Sequence, residues 1–299
     1  MKLKFRQAQQ DDYEQFAELQ RRHYDGHYET SANRLRENPA ERFVVSRGAQ
    51  ILAAAEPQTV EGFPDAIRLE IFGGDADAWE LLANRAADAL RGRAKRLISV
   101  IRQDHTSISH LKAAGYSLSW QSWAAHLYLR DALPAEAFAE LTARPRAEGF
   151  MVRELADPDV PKAYELYDSC HPELVVTPAT PSTHLDAPEF AKALAGERVF
   201  VVMHDHRCVA LTEVEPRGDA AETNVTLVAP DMRHRGLATL VKATAVTRLA
   251  EEGIREFGAG GGCPADAIMN VNRKLGYEVE LWGSYELTLT PAPTETHPC

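Results

Sequence analysis

A basic turn followed by small residues could hold an anion in this chain. The turn, Arg233-His-Arg-Gly236-Leu-Ala238, follows an apolar run that stops at Pro230. At the start of a helix the first N–H groups have no intrahelical partner, and the helix dipole is positive. Gly236 has no Cβ and Ala238 only a small one, so a ligand can approach the backbone closely. The pattern predicts a phosphate-binding loop.

The residues on either side of this loop predict the elements that position it. Val225, Leu227 and Val228 favour a strand, which Pro230 would end. After the loop, apolar residues recur on one face of a helix: Leu237, Leu240, Val241, Ala245 and Leu249. A strand, a tight loop and an amphipathic helix are therefore expected in this order.

The same loop resembles the (Gln/Arg)-x-x-Gly-x-(Gly/Ala) signature of the GCN5-related N-acetyltransferases, the GNAT superfamily. Flanking residues extend the match: Val228-x-Pro230, Lys242 and Asn272-x-x-Leu275-Gly276-Tyr277. The resemblance implies a mixed α/β (α+β) fold and acetyl-CoA as co-substrate. In the family, loop amides hold the pyrophosphate, and a splay between two central strands lets strand backbone pair with the pantetheine arm.

The resemblance also implies which residues contact the cofactor. They are Leu227, Val228, Arg233, His234, Arg235, Gly236, Leu237, Ala238, Thr239 and Asn272. Lys242 recurs at its place in the family, and a solvated helix lysine is an equally good interpretation of it. Tyr277 is expected to be a core aromatic residue.

Direct acetyl transfer to an amine needs a base for the amine's proton and stabilisation of the departing thiolate. Candidates for the base lie on two predicted strands: Glu213, Glu215 and Glu222. Glu222, on the strand before the loop, is the first choice. Many family members place a tyrosine as the acid where this chain has Asn272, which removes the usual proton donor. Asn272, in the place of that tyrosine, is therefore a catalytic candidate and also a candidate polar contact to the CoA arm.

A glycine-rich run, Gly258-Ala-Gly-Gly-Gly262, stands where relatives tend to carry Thr and Asn residues facing the cofactor. Such a composition predicts a flexible loop or a surface of close approach. Together with the missing tyrosine, it keeps a second function open, that of a non-catalytic acyl-CoA-binding or interaction protein on a GNAT scaffold.

The chain repeats itself weakly, which predicts two tandem GNAT-like domains, each a mixed, mostly antiparallel sheet flanked by helices. Matching hairpins are predicted near residues 43–53 and 200–211. The expected boundaries are a domain at 1–130, a linker at 131–149, a domain at 150–290 and a flexible tail at 291–299.

The two predicted domains differ at the loop. The first half offers Gly73 and Gly74, but Asp75 and Asp77 follow them where the second half has arginines. Carboxylates suit a helix N-terminus and repel a pyrophosphate. The first domain is therefore predicted to be degenerate. This arrangement resembles the tandem GNAT type to which mycothiol synthase belongs. The resemblance covers the whole chain as architecture, whereas the residues that would bind the cofactor occur only in the second half.

Composition limits the other function classes. The chain has 299 residues, of which 44% are hydrophobic and 26% charged, as in soluble globular proteins. No apolar run reaches the ~20 residues of a membrane span, and the N-terminus lacks a signal-peptide core. A net charge of −11 disfavours nucleic acid as a partner. Four irregularly spaced cysteines fit a reducing cytoplasm.

Two further groups of residues suit ordinary structural roles. His204-x-His206-x-Cys208 falls at a predicted hairpin turn, so no metal site is expected there. The basic run from Arg91 to Arg96 suits a helix C-terminus better than nucleic acid. The expected partner is a small-molecule primary amine, whose contacts would come from the segment 170–185, in a monomer or homodimer.

Overall fold

The computed structural model describes residues 2–24, 31–38, 40–131, 133 and 136–289. These residues form two compact units. One takes its described residues from Met1–Trp120 and Trp282–Cys299, and the other is Gln121–Leu281. The predicted flexible tail, 291–299, lies outside the described residues.

The first unit is a sheet with helices packed against it. Its strands begin with β1 (Lys4–Gln7), β2 (Phe43–Arg47), β3 (Gln50–Thr59), β4 (Ala66–Phe72) and β5 (Arg96–Arg102). All neighbouring pairs among these strands are antiparallel except β4 and β5, which are parallel. Its helices are α1 (Tyr13–His23), α2 (Ala32–Glu37), α3 (Ala76–Leu90) and α4 (Ile108–Ala113).

The second unit repeats this plan. Its strands are β6 (Ser117–Tyr128), β7 (Val152–Glu154), β8 (Arg198–His204), β9 (Arg207–Arg217), β10 (Ala220–Val228), β11 (Glu256–Gly262) and the start of β12 (Glu278–Thr288). Only β10 and β11 are parallel among the strand pairs from β7 to β11. Its helices are α5 (Ala139–Ala147), α6 (Val160–Cys170), α7 (Ala187–Ala193), α8 (Leu237–Glu251) and α9 (Asp266–Lys274).

Each unit contains a strand segment that the predicted boundaries give to the other domain. From Ser122 to Tyr128, β6 pairs with β11 of the second unit. From Trp282 to Thr288, β12 pairs with β5 of the first unit. The compact units therefore have other bounds than the predicted 1–130 and 150–290, because strand pairing, which the sequence does not reveal, assigns these two segments.

The cores follow the predicted periodicity. In the first unit, α3 buries Trp79, Leu82 and Leu90 against strand residues such as Leu69 and Leu97. In the second unit the predicted apolar face of α8 is buried throughout: Leu237, Leu240, Val241, Ala245 and Leu249. Burying an aliphatic side chain of this size contributes about 1.5–3 kcal/mol. The predicted fold class, a mixed and mostly antiparallel sheet flanked by helices in two units, is confirmed.

Both predicted hairpins form, and the predicted linker contains a helix. The hairpins predicted near 43–53 and 200–211 are β2–β3 and β8–β9. Within the predicted linker, α5 forms, while residues 132, 134 and 135 lie outside the described residues. Among the described residues, no helix combines the length and the apolar composition needed to cross a bilayer.

Candidate functional site

The two parallel strands of the second unit separate part-way along their length. β10 and β11 pair only from Ala220–Thr223 to Glu256–Ala259. Beyond this point β11 stays paired with β6, and β10 stays paired with β9. The facing edges of 224–228 and 260–262 therefore do not share a ladder. An opening of this kind leaves strand N–H and C=O groups available to an extended ligand.

The predicted anion loop lies at the end of β10, next to this opening. Gly236 has φ +81° and is the N-cap of α8, with no side-chain hydrogen bond to cap the helix. His234 also has a positive φ, of +63°. The first-turn N–H groups of α8, which include those of Leu237, Ala238 and Thr239, have no intrahelical acceptor. The loop therefore combines an uncapped helix start with a left-handed glycine.

Both arginines of the loop contact carboxylates. The Nη1 of Arg233 lies 2.8 Å from Glu173, and its Nε donates to the carbonyl of Val228. Arg235 donates from Nε and Nη2 to Glu148, at 3.1 and 2.9 Å. These arginines hold the pKa of both carboxyls below the usual range. An incoming anion would compete with Glu148 and Glu173 for the arginines.

Helix α5 lies beside the same loop. The Cδ of Pro145 is 3.5 Å from the position that a Cβ on Gly236 would take. Arg235 lies over the ring of Phe150, 4.9 Å from its centre. Nothing in the sequence indicates that the segment predicted to be a linker would border the loop, because such a contact depends on the tertiary fold.

Glu222 lies on β10 where the two strands are still paired, opposite Gly258. It is half-buried, and its carboxylate lies against the bare backbone of Gly258. A Cβ there would be only 2.8 Å from the Cδ of Glu222. Burial raises the pKa of the Glu222 carboxyl, while the positive charges of Arg217 and Lys242 oppose that rise. A desolvated carboxylate with a raised pKa is suited to accept a proton.

Lys242 is 1% exposed, so its interpretation as a solvated helix lysine is wrong. Its Nζ donates to the hydroxyl of Thr223 at 3.0 Å and lies 5.0 Å from the ring centre of Tyr277. Burial lowers the pKa of Lys242 to about 7, and the nearby charge of Glu222 acts against that shift. The apolar residues at positions 237, 240 and 241 predict which face of the helix is buried, but they do not predict that the lysine is buried too.

Asn272 lies on α9 and is completely buried. Neither its Nδ2 nor its Oδ1 has a hydrogen-bond partner among the described residues. Leaving a buried polar group unsatisfied costs about 1–3 kcal/mol, so this amide is suited to a polar ligand atom. Tyr277 is 3% exposed, as predicted for a core aromatic, and burial raises its pKa.

The glycine-rich run forms strand β11, so the predicted flexible loop is wrong. The other prediction, a surface that neighbouring groups approach closely, is correct. A Cβ on Gly261 would meet the indole of Trp123 at 2.9 Å. One on Gly262 would meet the side chain of Val175 at 2.7 Å. Val175 belongs to the predicted acceptor segment, 170–185, which therefore contacts the end of β11 beyond the point where the strands separate.

The other two candidate bases face different surroundings. Burial raises the pKa of Glu213, and its Oε1 accepts from Asn224 at 3.2 Å. Glu215 is paired with Arg217, which lowers the pKa of its carboxyl. Glu222 thus differs from the other two candidates. Its pKa is raised, and its carboxylate has no side-chain hydrogen bond from the described residues.

The corresponding loop of the first unit is built differently. The Oδ1 of Asp75 accepts from the N–H of Ala78 at 2.9 Å and so caps α3. Arg47 lies 3.6 Å from the same carboxylate. Gly73, with φ +123°, packs so tightly that a Cβ would overlap the carbonyl of Leu52.

His204 ends β8, His206 lies in the turn, and Cys208 is the second residue of β9, as expected for a hairpin turn. Across the part of the chain that the structure describes, no group of three His, Cys, Asp or Glu residues could hold a metal ion.

No protein-family model matches the sequence, and no curated protein matches it. Solved structures do. A GCN5-related N-acetyltransferase from Sphaerobacter thermophilus has a TM-score of 0.71 at 15% identity, over 97% of both chains. A tandem GNAT protein from the clavulanic acid biosynthesis pathway has a TM-score of 0.59 at 16% identity, over 98% of this chain and 100% of the other.

A third structure is fungal, a GCN5-related glucosamine N-acetyltransferase region of a multi-domain GH3 β-N-acetylglucosaminidase. It has a TM-score of 0.63 at 10% identity, over 96% of this chain and 38% of that one. At these identities the likeness concerns the fold. The predicted resemblance to tandem GNAT proteins is confirmed at that level, whereas the kinship with mycothiol synthase stays a prediction.

Proposed function

We propose that the second unit binds acetyl-CoA and transfers its acetyl group directly to a primary amine of a small molecule. The observation that carries this proposal is the separation of β10 from β11 directly before an uncapped helix start at Gly236. The fold of solved N-acetyltransferases supports acyl transfer in general.

The residues present fit an acyl-CoA. The amides from Arg235 to Thr239 would take the pyrophosphate, because a helix start with a left-handed glycine suits a dianion. The unpaired edge of β10 at Leu227 and Val228 would hold the pantetheine arm. The orphaned amide of Asn272 would contact a polar atom of the same arm. When bound, acetyl-CoA supplies a thioester carbonyl that an amine can attack.

Glu222 is the proposed general base. An amine must lose a proton before it can attack, and a carboxylate with a raised pKa takes up that proton more readily. Glu222 would accept it directly or through one water molecule. A partial negative charge on Glu222 would also attract the protonated amine to the opening between the strands.

The proposed acceptor segment is 170–185, since Val175 packs at the open end of β11. Tyr167 holds this segment in place by accepting from the N–H of Leu185. Free thiols at Cys170, Cys208 and Cys263 suit a reducing compartment, which supports a cytoplasmic location.

The test is a calorimetric titration with acetyl-CoA and with CoA, followed by a free-thiol release assay against a panel of amines. The panel includes glucosamine, because one fungal structure with this fold is named for that acceptor. We expect one site per chain and amine-dependent release. Glu222→Gln should lower kcat/KM about 100-fold at unchanged CoA affinity, while Glu256→Gln, an exposed carboxylate on β11, should change neither.

The outcomes separate the two candidate functions. Binding of CoA without thiol release from any amine would favour a non-catalytic acyl-CoA-binding protein. Absence of binding would overturn the site assignment itself.

A further inference from the structure

Acetyl transfer leaves a negative charge on the sulfur of CoA, and a hydrogen-bond donor beside that sulfur would stabilise the charge. Where many GNAT enzymes carry a tyrosine, this chain has Asn272, whose side chain has no hydroxyl. The proposed reaction therefore needs another donor at the thioester.

The opening between β10 and β11 has its closed end at Thr223. This is the last residue of β10 that pairs with β11, opposite Ala259. Directly after it, Asn224 is an extra residue in the pairing of β10 with β9, a bulge of the kind at which a strand bends.

The length of the opening fits the arm of an acyl-CoA. Five residues, 224–228, lie between the closed end and the end of β10. At about 3.3 Å per residue they span about 16 Å, and an extended pantetheine arm is of comparable length. An acyl-CoA whose pyrophosphate lies at Gly236 would therefore have its thioester close to Thr223.

The hydroxyl of Thr223 has its own proton available for a ligand. Thr223 is 9% exposed, and its Oγ1 accepts a hydrogen bond from the Nζ of Lys242 at 3.0 Å. It donates to no other described residue. A hydroxyl can donate and accept at once, and with Nζ on one side its hydrogen must point away from the lysine.

Lys242 holds this hydroxyl from within the core. Its neighbours along the buried face of α8 are apolar, and among the described residues its Nζ donates only to Thr223. Replacing a buried charge by an apolar residue of similar volume is often stabilising, so a lysine here indicates a role other than stability. The hydrogen bond does not depend on charge, because a neutral amine also donates.

Thr223 and the proposed base lie on opposite faces of β10. Glu222 pairs with Glu215 of β9, whereas Thr223 pairs with Val214, which belongs to the same core cluster as Val241 of α8. Side chains of consecutive strand residues alternate between the two faces. The strand therefore separates the donor to sulfur from the acceptor of the amine's proton, so the two groups do not bond to each other.

We propose that the hydroxyl of Thr223 donates the hydrogen bond that stabilises the departing thiolate of CoA, and that Lys242 is a positioning residue that orients this hydroxyl. The inference rests on the proposed function, since it concerns the leaving group of that reaction. As the N–C bond forms, the C–S bond breaks and its electron pair goes to sulfur, while the amine's proton goes to Glu222. Thr223 keeps its own proton, and water protonates the released thiolate.

The test compares Thr223→Val, which keeps the shape and loses the hydroxyl, with Thr223→Ser, which keeps the hydroxyl. The thiol of bound CoA is titrated by NMR, with a ¹³C label at the methylene next to sulfur, so the readout needs no turnover. A donor to the thiolate lowers the pKa of the thiol. We expect the midpoint at higher pH in Thr223→Val and near the wild-type value in Thr223→Ser.

The kinetic readout separates binding from the chemical step. In Thr223→Val, kcat should fall about 10- to 100-fold at unchanged affinity for acetyl-CoA, because the hydrogen bond strengthens only as charge develops on sulfur. Thr223→Ser should retain most of the wild-type kcat.

Lys242→Met tests the positioning role. It should move the thiol midpoint in the same direction as Thr223→Val and lower kcat by less, because the hydroxyl remains but can rotate. The double variant should equal Thr223→Val alone, since Lys242 acts through Thr223; a lysine with a structural role would add its own loss. The double variant also keeps the test open should Thr223→Val fail to fold with an unpaired lysine.

Thr247→Val is the control, because it makes the same change on α8, where the hydroxyl donates to the carbonyl of Ala243. It should leave both the midpoint and kcat in place. An unchanged midpoint in Thr223→Val would overturn the inference. So would a midpoint that moves instead in Tyr277→Phe, whose buried hydroxyl has no partner among the described residues.

The two proposals fail in different ways. Absence of CoA binding to the wild type would defeat the proposed function and this inference together. Bound CoA whose thiol titrates alike in the wild type and in Thr223→Val would defeat only the role of Thr223.

Discussion

The starts of α3 and α8 show how one strand–helix unit can be closed or open to an anion. Both helices have 15 residues and follow a strand of a parallel pair. At α3 the carboxylate of Asp75 accepts a hydrogen bond from a first-turn N–H, that of Ala78. At α8 the N-cap is Gly236, which has no side chain to do so. The identity of one cap residue thus separates a structural junction from a candidate ligand site.

The strand openings, by contrast, do not distinguish the two units. In the first unit β4 and β5 pair only from Ala66–Arg68 to Arg96–Ile98, so they separate early as well. The buried face of α3 is entirely apolar, whereas that of α8 includes Lys242. Between these two strand–helix segments, the difference therefore lies in the helix start and in the buried lysine of α8, while the backbone plan is shared.

The largest expected effect is on the open helix start. Gly236→Glu should weaken CoA binding about 100-fold or more, since it adds like charge at the anion site and places a side-chain-bearing residue at φ +81°. Titration calorimetry on the folded variant measures this. Gly253→Glu carries the same strain at the other end of α8, with open space around it, and should bind CoA normally.

The same comparison predicts that Gly74→Glu, in the first unit, leaves CoA binding intact. Two CoA molecules per wild-type chain would contradict the view that the α3 start is closed to anions.

The buried lysine of α8 should appear in the pH dependence of stability. With a folded pKa of about 7 against 10.5 for the free side chain, Lys242 is neutral in the folded chain and protonated in the unfolded chain between these values. Stability should be lost as the pH falls through this window, because the unfolded state takes up the proton. The free energy of unfolding should rise by about 2 kcal/mol from pH 7 to pH 9.

Lys242→Met should remove that rise and be more stable than the wild type at pH 7. Chemical denaturation at several pH values measures both. An equal rise in the variant would show that another group, and not Lys242, causes it.

A smaller effect is expected at the closed helix start. Asp75→Ala removes the cap of α3 and should lower the free energy of unfolding by about 1 kcal/mol. CoA affinity should not change. Asp77→Ala, in the same turn but not the cap, is the matched control in the same denaturation experiment. A large loss of CoA affinity in Asp75→Ala would mean that the first unit takes part in binding.

The smallest effect concerns the carboxylates that pair with the loop arginines. Glu148→Gln frees Arg235 for an incoming phosphate and should tighten CoA binding about two- to fivefold, more at low salt than at high salt. Glu140→Gln, on the same helix, lacks this contact and serves as control. Weaker binding in Glu148→Gln would indicate that Glu148 positions the arginine for the ligand.

The sequence predicted those features that depend on neighbouring residues. The loop, the strand before it and the apolar face of α8 follow from local pattern, and the hairpins follow from turn residues. The burial of Lys242 and the packing of Glu222 on Gly258 depend on contacts between separate elements. For the same reason, a glycine-rich strand could not be told from a glycine-rich loop until Trp123 and Val175 were seen beside it.

The assignment of β12 to the first unit has a consequence for synthesis on the ribosome. Domains generally fold from the N-terminus as the chain emerges. Here Arg96 of β5 contacts Glu286 of β12, 190 residues later in the chain. The first unit must therefore wait for almost the whole polypeptide before its sheet is complete. Until then the edge of β5 that β12 covers in the folded chain is unpaired, and an unpaired strand edge can pair with another strand.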